Sequence, residues 1–415
     1  MKILLINNVH YNRGGADKVY LNTGKLLEEH GHEISYFAIN HPENFDSEFS
    51  KYFIRNPDFK NKTLLSKLYS FPRYYFSTEA QHNLQCLINN YKPEIAHIHL
   101  LYGGGLTSSI LPVLKKNKIP IVLTIHDYKL LCPVLTLMDN NFNICEKCAN
   151  GNYIYCISKR CNQITLSSKT NLFNSLIFAT ESWFRDILFN PNKFISKYIY
   201  VSEFSKIIHN KYKPYLIDKS EILFNFIDFS DSEIPSFFMG DYFLYFGRLS
   251  REKGLLTILE SFRNYPQSRL LIIGDGSLRN EIQAYITNFK LNNVSLLGYM
   301  KGDKLNSYIN NSKFVILASQ WYENNPLSVI ESFRFGKPVL GANIGGIPEL
   351  IKDGETGFLF DPRSLNSLNN ALLRAQSTST EEYIKLSQNA YRFACDNFQA
   401  ETHYLKLIKI YNSIF

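Results

Sequence analysis

The stretch that decides the fold is Y-F-L-Y-F-G-R-L-S-R-E-K-G, residues 242–254. Its first five residues form a continuous apolar run, which is typical of a strand covered on both faces of a parallel sheet. Gly247 then allows the backbone to turn sharply, and a helical pattern follows over Glu252–Asn264. The stretch therefore predicts one strand–turn–helix unit of an α/β domain.

The same succession opens the chain. K-I-L-L-I-N-N from Lys2 is followed by Gly14, Gly15 and a helical pattern over Asp17–His30. Similar apolar runs recur: E-I-S-Y-F-A-I, E-I-A-H-I-H-L, I-P-I-V-L-T-I-H and Y-I-Y-V-S in the first half, and R-L-L-I-I-G-D-G, V-S-L-L-G, F-V-I-L-A-S and K-P-V-L-G-A-N in the second. This alternation predicts two doubly wound α/β domains that face each other across a cleft at the carboxyl ends of their strands.

A chain of 415 residues exceeds the size at which one hydrophobic core keeps growing. We place the first domain at 1–220, with a cysteine-rich insertion at about 132–165, and the second at 237–395. The boundary falls within 215–237, where strand-like patterns pause. At the end of the chain we expect a helix over 396–415, of which Glu401–Phe415 is amphipathic.

The composition, 45% hydrophobic and 20% charged, is that of an ordinary globular protein. The apolar start is too short for a signal peptide, and no run of about 18 apolar residues could span a membrane. Seven unevenly spaced cysteines indicate reduced thiols. We therefore expect a cytoplasmic protein.

The positive charge lies in the first half. Residues 1–227 hold 26 Lys and Arg against 18 Asp and Glu, whereas residues 228–415 hold 19 of each. This charge has two interpretations. It could form a solvated basic face, or it could attract an anionic membrane, a phosphate-bearing acceptor or nucleic acid. The segment Phe59–Tyr75 interleaves Lys60, Lys62, Lys67 and Arg73 with apolar residues, which suits either a membrane interface or a packed helix with a solvated edge.

The stretch Q-W-Y-E-N-N-P-L-S-V-I-E, from Gln320, follows the apolar run F-V-I-L-A-S. Pro326 is expected to be the first residue of a helix, with Asn325 as its cap. The backbone amides of the first turn, around Leu327 and Ser328, would then suit a phosphate group.

Two carboxylates and two cations accompany this helix. Glu323 precedes it and Glu331 lies about a turn and a half inside it, so both could hold hydroxyl pairs of a long polar ligand. Arg248 and Lys253 follow the strand that ends at Gly247 and could grip phosphate oxygens. A solvent-facing glutamate pair and an exposed basic loop are the plainer interpretations.

Three further motifs bear on chemistry. Gly14 and Gly15 precede a helix and would let a ligand approach the backbone. His126 ends the run I-V-L-T-I and should reach the cleft, although a lone histidine is often structural. G-D-G-S-L at Gly274 lacks the third glycine of a dinucleotide site, so we do not expect NAD. No D-x-D pair occurs that could clamp a metal-diphosphate.

The cysteine cluster could bind zinc. Cys145, Cys148, Cys156 and Cys161 lie within 17 residues, and four thiolates can close a tetrahedral site. The spacing after the first C-x2-C is irregular, so unligated or redox-active thiols are the alternative.

These strings together resemble the retaining glycosyltransferases of family 4, which have the GT-B fold, and especially members that assemble polysaccharides. Glu323 and Glu331 match the E-x7-E hallmark, and F-G-R-L-S-R-E-K-G, G-D-G and the tail G-A-N-I-G-G-I-P-E-L-I-K-D-G-E-T-G-F-L-F-D-P match further elements. In the first half, G-G-A-D, H-D, Y-V-S-E-F and L-F-N-F-I-D match. The resemblance covers nearly the whole chain.

The resemblance implies transfer, with retention, from a nucleoside-diphosphate sugar to a saccharide or lipid-linked saccharide, with no cofactor needed for the chemistry and no nucleic acid partner. It implies that the terminal helix packs back on the first domain. By position, the resemblance implies that Glu331 binds the ribose and that Glu323 binds the sugar. The side chains of Arg248 and Lys253 and the amides of Leu327 and Ser328 would bind the diphosphate, which Gly15, next to Gly14, would also approach. His126 would lie near the sugar. His126, Arg248, Lys253 and Glu323 are the expected catalytic residues.

Two departures stand out. Asp17 replaces the usual glutamate of the first motif, and Asn324 and Pro326 replace the usual glycines inside E-x7-E, which leaves the sugar open. The alternatives are a nucleotide-sugar epimerase or hydrolase of the same fold and an inactive binding subunit.

Overall fold

The computed structural model describes residues 1–56, 72–102, 106–161, 172–229, 235 and 237–415. These residues divide into two units, one formed by Met1–Leu223 with His403–Phe415 and the other by Phe224–Thr402. Each unit contains one six-stranded parallel sheet with helices. The prediction of two parallel-sheet α/β domains is therefore confirmed.

The sheet of the first unit has the strand order β2-β1-β3-β4-β5-β6. Its strands are β1 Lys2–Ile6, β2 Glu33–Phe37, β3 Ile95–Ile98, β4 Ile121–Ile125, β5 Lys197–Tyr200 and β6 Ser220–Ile222. Its α-helices are α1 Gly15–Glu29, α2 Pro72–Tyr75, α3 Thr78–Tyr91, α4 Leu111–Lys116, α5 Ile154–Ser158, α6 Leu172–Leu188 and α7 Glu203–Tyr212. Turns of 3-10 helix lie at Glu48–Tyr52, Ser108–Ile110, Pro191–Lys193 and Pro214–Lys219.

The two faces of this sheet bury separate apolar clusters, because successive side chains of a strand point to opposite faces. Leu4 and Ile6 pack in a cluster with residues of α3 and α4. Ile3 and Leu5 pack in the other with residues of α1 and of the terminal helix α15, Ala400–Asn412. The continuous apolar run of β1 is thus explained by burial on both faces.

The sheet of the second unit has the strand order β12-β11-β10-β7-β8-β9. Its strands are β7 Tyr242–Phe246, β8 Arg269–Ile273, β9 Val294–Gly298, β10 Phe314–Leu317, β11 Val339–Ala342 and β12 Gly357–Phe360. Its helices are α8 Leu255–Asn264, α9 Arg279–Asn288, α10 Gly302–Asn310, α11 Leu327–Arg334, α12 Ile347–Leu350, α13 Leu365–Ser377 and α14 Thr380–Phe398, with a 3-10 turn at Arg251–Lys253. One apolar cluster joins the strands to α8, α11, α13 and α14.

Three local predictions were wrong in detail. The helix expected over Glu252–Asn264 is a 3-10 turn followed by α8, because Gly254 adopts a left-handed conformation with φ 68°. Helix α11 begins at Leu327 and not at Pro326, whose ψ of 116° is extended. The side chain of Asn325 does not cap this helix and is engaged elsewhere.

Strands β6 and β12 were not predicted as strands. β6 has three residues, all half-buried, and β12 has four, of which three are buried; each strand lies at the edge of its sheet. Such short edge strands carry too few residues for a hydrophobic period to show in the sequence.

Two predictions fall partly or wholly outside the described residues. The basic side chains of Lys60, Lys62 and Lys67 lie there, as does the end of the cysteine-rich insertion at 162–165. Within the described ranges, no helix combines the length and the apolar character that crossing a bilayer requires.

Candidate functional site

Lys253 and Glu323, which lie far apart in the sequence, form an ion pair in the second unit, in which Glu323 is buried and Lys253 is half-buried. The Lys253 ammonium donates to Glu323 Oε1, and Ser319 Oγ donates to the same oxygen at 2.6 Å. Burial alone would raise the pKa of Glu323, but Lys253 and Ser319 outweigh it and hold the pKa below its usual value. Glu323 is therefore a carboxylate at neutral pH, although only 6% of it is exposed.

Gly254 sets the position of Lys253. A Cβ at Gly254 would lie 2.0 Å from the carbonyl oxygen of Ala318, at the end of β10. Only glycine allows this approach, and its positive φ ends the 3-10 turn that carries Lys253. The Arg251–Lys253 turn can therefore pack against the end of β10, next to Ser319.

Two glycines of the tail motif hold the backbone of Glu323. Gly346 N donates to Glu323 O at 2.7 Å. A Cβ at Gly345, which has φ 61°, would lie 2.4 Å from that same carbonyl oxygen. The sequence string G-A-N-I-G-G thus has a structural role that the motif alone did not reveal.

Arg248 lies at the end of β7 and is held by a buried acid. Its Nη2 is 3.0 Å from Glu252 Oε1, which also accepts a 2.6 Å hydrogen bond from Ser250 Oγ. Glu252 is 3% exposed, whereas the Arg248 side chain is 58% exposed. Arg248 is therefore oriented by its partner while its guanidinium remains accessible to a ligand.

Asn225 and Asn325 fix the loop that leads into α11. Asn225 N donates to Asn325 Oδ1 at 3.0 Å, and Asn225 Nδ2 donates to Asn325 O at 2.9 Å. The loop in which Asn324 and Pro326 replace the usual glycines is thus held by the hydrogen bonds between Asn225 and Asn325. Asn225 belongs to the motif L-F-N-F-I-D, which by itself indicates no role for this side chain.

The start of α11 offers polar groups. The helix has no side-chain cap, and Leu327 and Ser328 are its first two residues, whose amides have no partner inside a helix. Within the described residues, Asn325 Nδ2 and Asn225 Oδ1 are buried without a hydrogen-bond partner. Glu331 is the fifth residue of the helix and is half-buried.

In the first unit, Gly14 and Gly15 are exposed at the start of α1. Asp17 is buried behind them, where Asn7 Nδ2 donates to its Oδ1 at 2.9 Å and Arg13 Nε lies 3.5 Å from its Oδ2. Burial raises the pKa of Asp17, opposed by Arg13 and Asn7. The buried Asp17 side chain thus fixes the start of α1 next to Gly14 and Gly15.

His126 follows β4 and stacks on His99, with ring centroids 5.3 Å apart. Its Nε2 lies 3.1 Å from His99 Nδ1. Burial lowers the pKa of His126 to about 3, and burial also lowers the pKa of His99. The pair is therefore uncharged at neutral pH, and it can exchange hydrogen bonds without placing a positive charge at the strand ends.

A pocket in the first unit adjoins these histidines, and its lining includes Tyr102, Asp127 and Lys129. Lys129 is buried and pairs with Glu181 at 2.9 Å. Glu181 in turn pairs with Arg185, which is 1% exposed and lies over the Tyr102 ring. This buried charge network under the pocket was missed, because its members are scattered and match no motif.

The cysteine-rich insertion brings thiols together. Cys148, Cys156 and Cys161 are buried and interact with one another and with buried Cys132. Cys145 is only half-buried and borders Cys148. Among the described side chains, no three His, Cys, Asp or Glu residues stand ready-made around a metal position.

Two family models cover the chain. The model described as Glycosyltransferase Family 4 matches residues 13–230. The model described as glycosyl transferases group 1 matches residues 230–393. The first alone spans more than half of the chain, and the second covers most of the remainder.

Individual proteins agree with the family models. An uncharacterised glycosyltransferase of Methanocaldococcus jannaschii is 30% identical over 253 residues, which are 57% of this chain and 59% of that protein. The UDP-Gal:alpha-D-GlcNAc-diphosphoundecaprenol alpha-1,3-galactosyltransferase of Escherichia coli is 32% identical over 135 residues, which are 31% of this chain and 34% of that enzyme. This chain thus aligns with less than two thirds of the length of either relative.

The fold recurs in solved structures. Anabaena HepE in complex with UDP-glucose superimposes with a TM-score of 0.64 over the full length of both chains, at 18% sequence identity. At 18% identity the structural similarity shows the fold alone, whereas the two family models show the family. The chain belongs to glycosyltransferase family 4.

Proposed function

We propose that this glycosyltransferase moves a sugar from a nucleoside-diphosphate sugar to a saccharide or lipid-linked saccharide, with retention of the anomeric configuration, in surface polysaccharide biosynthesis. The observation that carries the proposal is the ion pair between half-buried Lys253 and buried Glu323, because Glu323 lies four residues before the uncapped helix α11. A pair of this kind is costly to desolvate and suits a site that must hold charge in place.

The diphosphate is the group that the cations would bind. The Lys253 ammonium has three N–H donors, and its bond to Glu323 uses one of them. Arg248 presents an accessible guanidinium that can bind two phosphate oxygens. The first amides of α11, at Leu327 and Ser328, add donors of the kind that bind phosphates at helix N-termini.

The hydroxyl groups of the sugar and of the ribose would donate hydrogen bonds to the two carboxylates, Glu323 and Glu331. Glu323 is ionised and fixed, so it can accept hydrogen bonds from sugar hydroxyls. Glu331, inside α11, would accept from the ribose hydroxyls. His126 is uncharged at neutral pH, so it can bond a sugar hydroxyl without opposing the positive character that develops on the sugar.

The reaction breaks the bond between the anomeric carbon and a phosphate oxygen, and forms a bond from that carbon to an acceptor oxygen. Negative charge develops on the leaving diphosphate, and preoriented cations there lower the activation free energy by several kcal/mol. Removing one such hydrogen-bond donor typically lowers the rate by roughly 10²- to 10³-fold. Attack on the same face gives retention if the leaving phosphate oxygen takes the proton of the acceptor hydroxyl. No carboxylate is required as a covalent nucleophile.

The donor and acceptor classes have support from relatives. HepE is described in complex with UDP-glucose. The Escherichia coli relative is described as using a UDP-sugar and a diphosphoundecaprenol-linked saccharide. A lipid-linked acceptor would bring the basic first half of this chain, with 26 Lys and Arg against 18 Asp and Glu, to an anionic membrane surface at the cytoplasmic side.

The test is release of nucleoside diphosphate from a panel of UDP-, GDP- and ADP-sugars, with and without saccharide acceptors. We expect release that depends on an acceptor, and a product with the anomeric configuration of the donor by NMR. Lys253→Ala and Arg248→Ala should each lower turnover by about 100-fold or more. Arg251→Ala, in the same turn, is the matched control, because Arg251 pairs with exposed Glu281.

The alternatives predict other results. Release without an acceptor would indicate a hydrolase, conversion of the donor without release an epimerase, and binding without turnover an inactive subunit. An inverted product would refute the retaining mechanism. Presenting a lipid-linked acceptor in anionic vesicles at low and high salt checks the membrane contact, since rates independent of salt would argue against it.

A further inference from the structure

The cysteine-rich insertion has little regular structure to hold it. Between Cys132 and Cys161 the described residues contain helix α5, of five residues, and one β-bridge between Met138 and Ile144. Among the residues that the structure describes, the hydrophobic clusters of the two units include none from this stretch. A small segment without its own large core usually needs a covalent or metal cross-link.

The backbone of this segment is also strained. Leu135, Leu137, Phe142 and Arg160 all have positive φ, between 50° and 71°. They are half of the eight non-glycine residues with positive φ in the described part of the chain. Each such position is unfavourable for a residue with a side chain and persists only where the surroundings impose it. Three of the four lie within five residues of Cys132 or directly before Cys161.

Four thiols converge inside the segment. Cys132, Cys148, Cys156 and Cys161 are each 7% exposed or less. Each of the four side chains lies near the other three, and the Cys156 and Cys161 thiols are in hydrogen-bonding contact. Cys156 Sγ also lies 3.8 Å from Cys161 O. Four mutually neighbouring thiols match one four-ligand centre better than two separate disulfides.

Backbone amides point at these sulfur atoms. The backbone amides of Val134, Leu137 and Thr136 lie near the Cys132 sulfur. The amide of Cys156 donates to the Cys148 sulfur, and that of Asn140 to the Cys161 sulfur. A neutral thiol is a weak acceptor, so such donors match thiolates, the form that binds metal ions.

From this arrangement we propose that Cys132, Cys148, Cys156 and Cys161 bind one Zn²⁺ as a structural tetrathiolate site, and that Cys145 is not a ligand. The four thiols release four protons as the ion binds. Because the side chains do not yet stand at coordination spacing, binding draws the sulfurs to about 2.3 Å from the ion. The ligand set differs from the one expected from spacing, in which Cys145 took the place of Cys132.

The site would stabilise the pocket next to His126. Pro133, the neighbour of Cys132, accepts a 2.9 Å hydrogen bond from Lys129 Nζ at its carbonyl oxygen. Lys129 lines that pocket, and its amide donates to Asp127. Fixing Cys132 therefore fixes the loop that carries Lys129, so the ion has a structural and not a chemical role.

The test is metal analysis of the purified full chain and of two matched serine variants. We expect about one zinc per wild-type chain and per Cys145→Ser chain, and less than about 0.1 in Cys132→Ser. Replacement by Co²⁺ should give the visible absorption of a tetrahedral thiolate site in the wild type and in Cys145→Ser.

A measurement on the wild type keeps the proposal testable if Cys132→Ser fails to fold. Removal of the ion by a chelator should make the thiols of Cys132, Cys148, Cys156 and Cys161 newly reactive under native conditions, and added zinc should protect them again. Wild-type protein without zinc, iron in its place, disulfides among these cysteines, or zinc lost from Cys145→Ser but kept in Cys132→Ser would overturn the proposal.

Discussion

His97 shows how single buried side chains govern the first unit. It is 2% exposed, and its ring nitrogens lie 2.7 Å from Tyr411 OH and from Thr124 Oγ1. Burial, together with His126 and His403, lowers its pKa to about 3. The ring therefore joins β3 to the terminal helix α15 as an uncharged hydrogen-bonding group.

A pH dependence of stability follows from His97. In the unfolded chain His97 takes up a proton below about pH 6.5, whereas in the folded protein it resists protonation down to about pH 3. The folded state is therefore unaffected by this group above pH 6.5 and loses up to ~1.4 kcal/mol per pH unit as the pH falls through that window. Hydrogen exchange of peptides from β3 and β4, corrected for intrinsic rates, measures the loss.

The variant His97→Gln should make this decline shallower, by about one proton, because a glutamine does not titrate. His82→Gln, at an exposed position on α3, should leave the slope unchanged. An identical pH dependence in His97→Gln and the wild type would show that the buried imidazole is not linked to folding.

At the scale of elements, the turn between β7 and α8 carries Lys253, the cation that we propose binds the diphosphate of the donor. Gly254 both ends the Arg251–Lys253 turn with a positive φ and lies against the Ala318 carbonyl oxygen. Lys253 meets Glu323 only if this turn packs against the end of β10. The position of the ion pair thus depends on a glycine that does not contact either partner through a side chain.

Gly254→Ala should disrupt this turn. The added Cβ would lie 2.0 Å from Ala318 O, so the turn must move and Lys253 must leave Glu323. Gly302→Ala is the matched control, because Gly302 also has a positive φ, 59°, but nothing lies within 4 Å of its added Cβ. We expect about 1 kcal/mol of destabilisation for Gly302→Ala with turnover kept. Gly254→Ala should cost more and lose turnover.

Urea titrations and the transferase assay measure both effects. Equal stability losses in the two variants, with turnover retained in Gly254→Ala, would mean that the close approach to β10 does not position Lys253.

At the scale of the whole molecule, the sequence predicted the two α/β units because central strands such as β1, from Ile3 onward, and β7 are continuous apolar runs. Arg248, Lys253 and Glu323 were identified because they follow strands and match a family pattern. The Lys253–Glu323 pairing was not predictable, since 70 residues of chain separate the partners.

Other features depended on tertiary contacts. Asn225 and Asn325 pair across 100 residues, and Cys132 precedes the other clustered cysteines by more than a dozen residues. Spacing rules consider near neighbours, so they favoured Cys145 as a ligand. Only the folded chain shows which of these side chains are close in space.

The most direct test of the central claim is calorimetric titration of UDP, GDP and ADP into the wild type, Lys253→Ala and Arg251→Ala. The claim predicts that at least one nucleoside diphosphate binds the wild type and Arg251→Ala equally. It also predicts that Lys253→Ala weakens this binding by roughly 10- to 150-fold, the value of a charged hydrogen bond. Absence of binding to the wild type, or equal binding to Lys253→Ala, would contradict the claim that Lys253 and Glu323 form a nucleotide-sugar site.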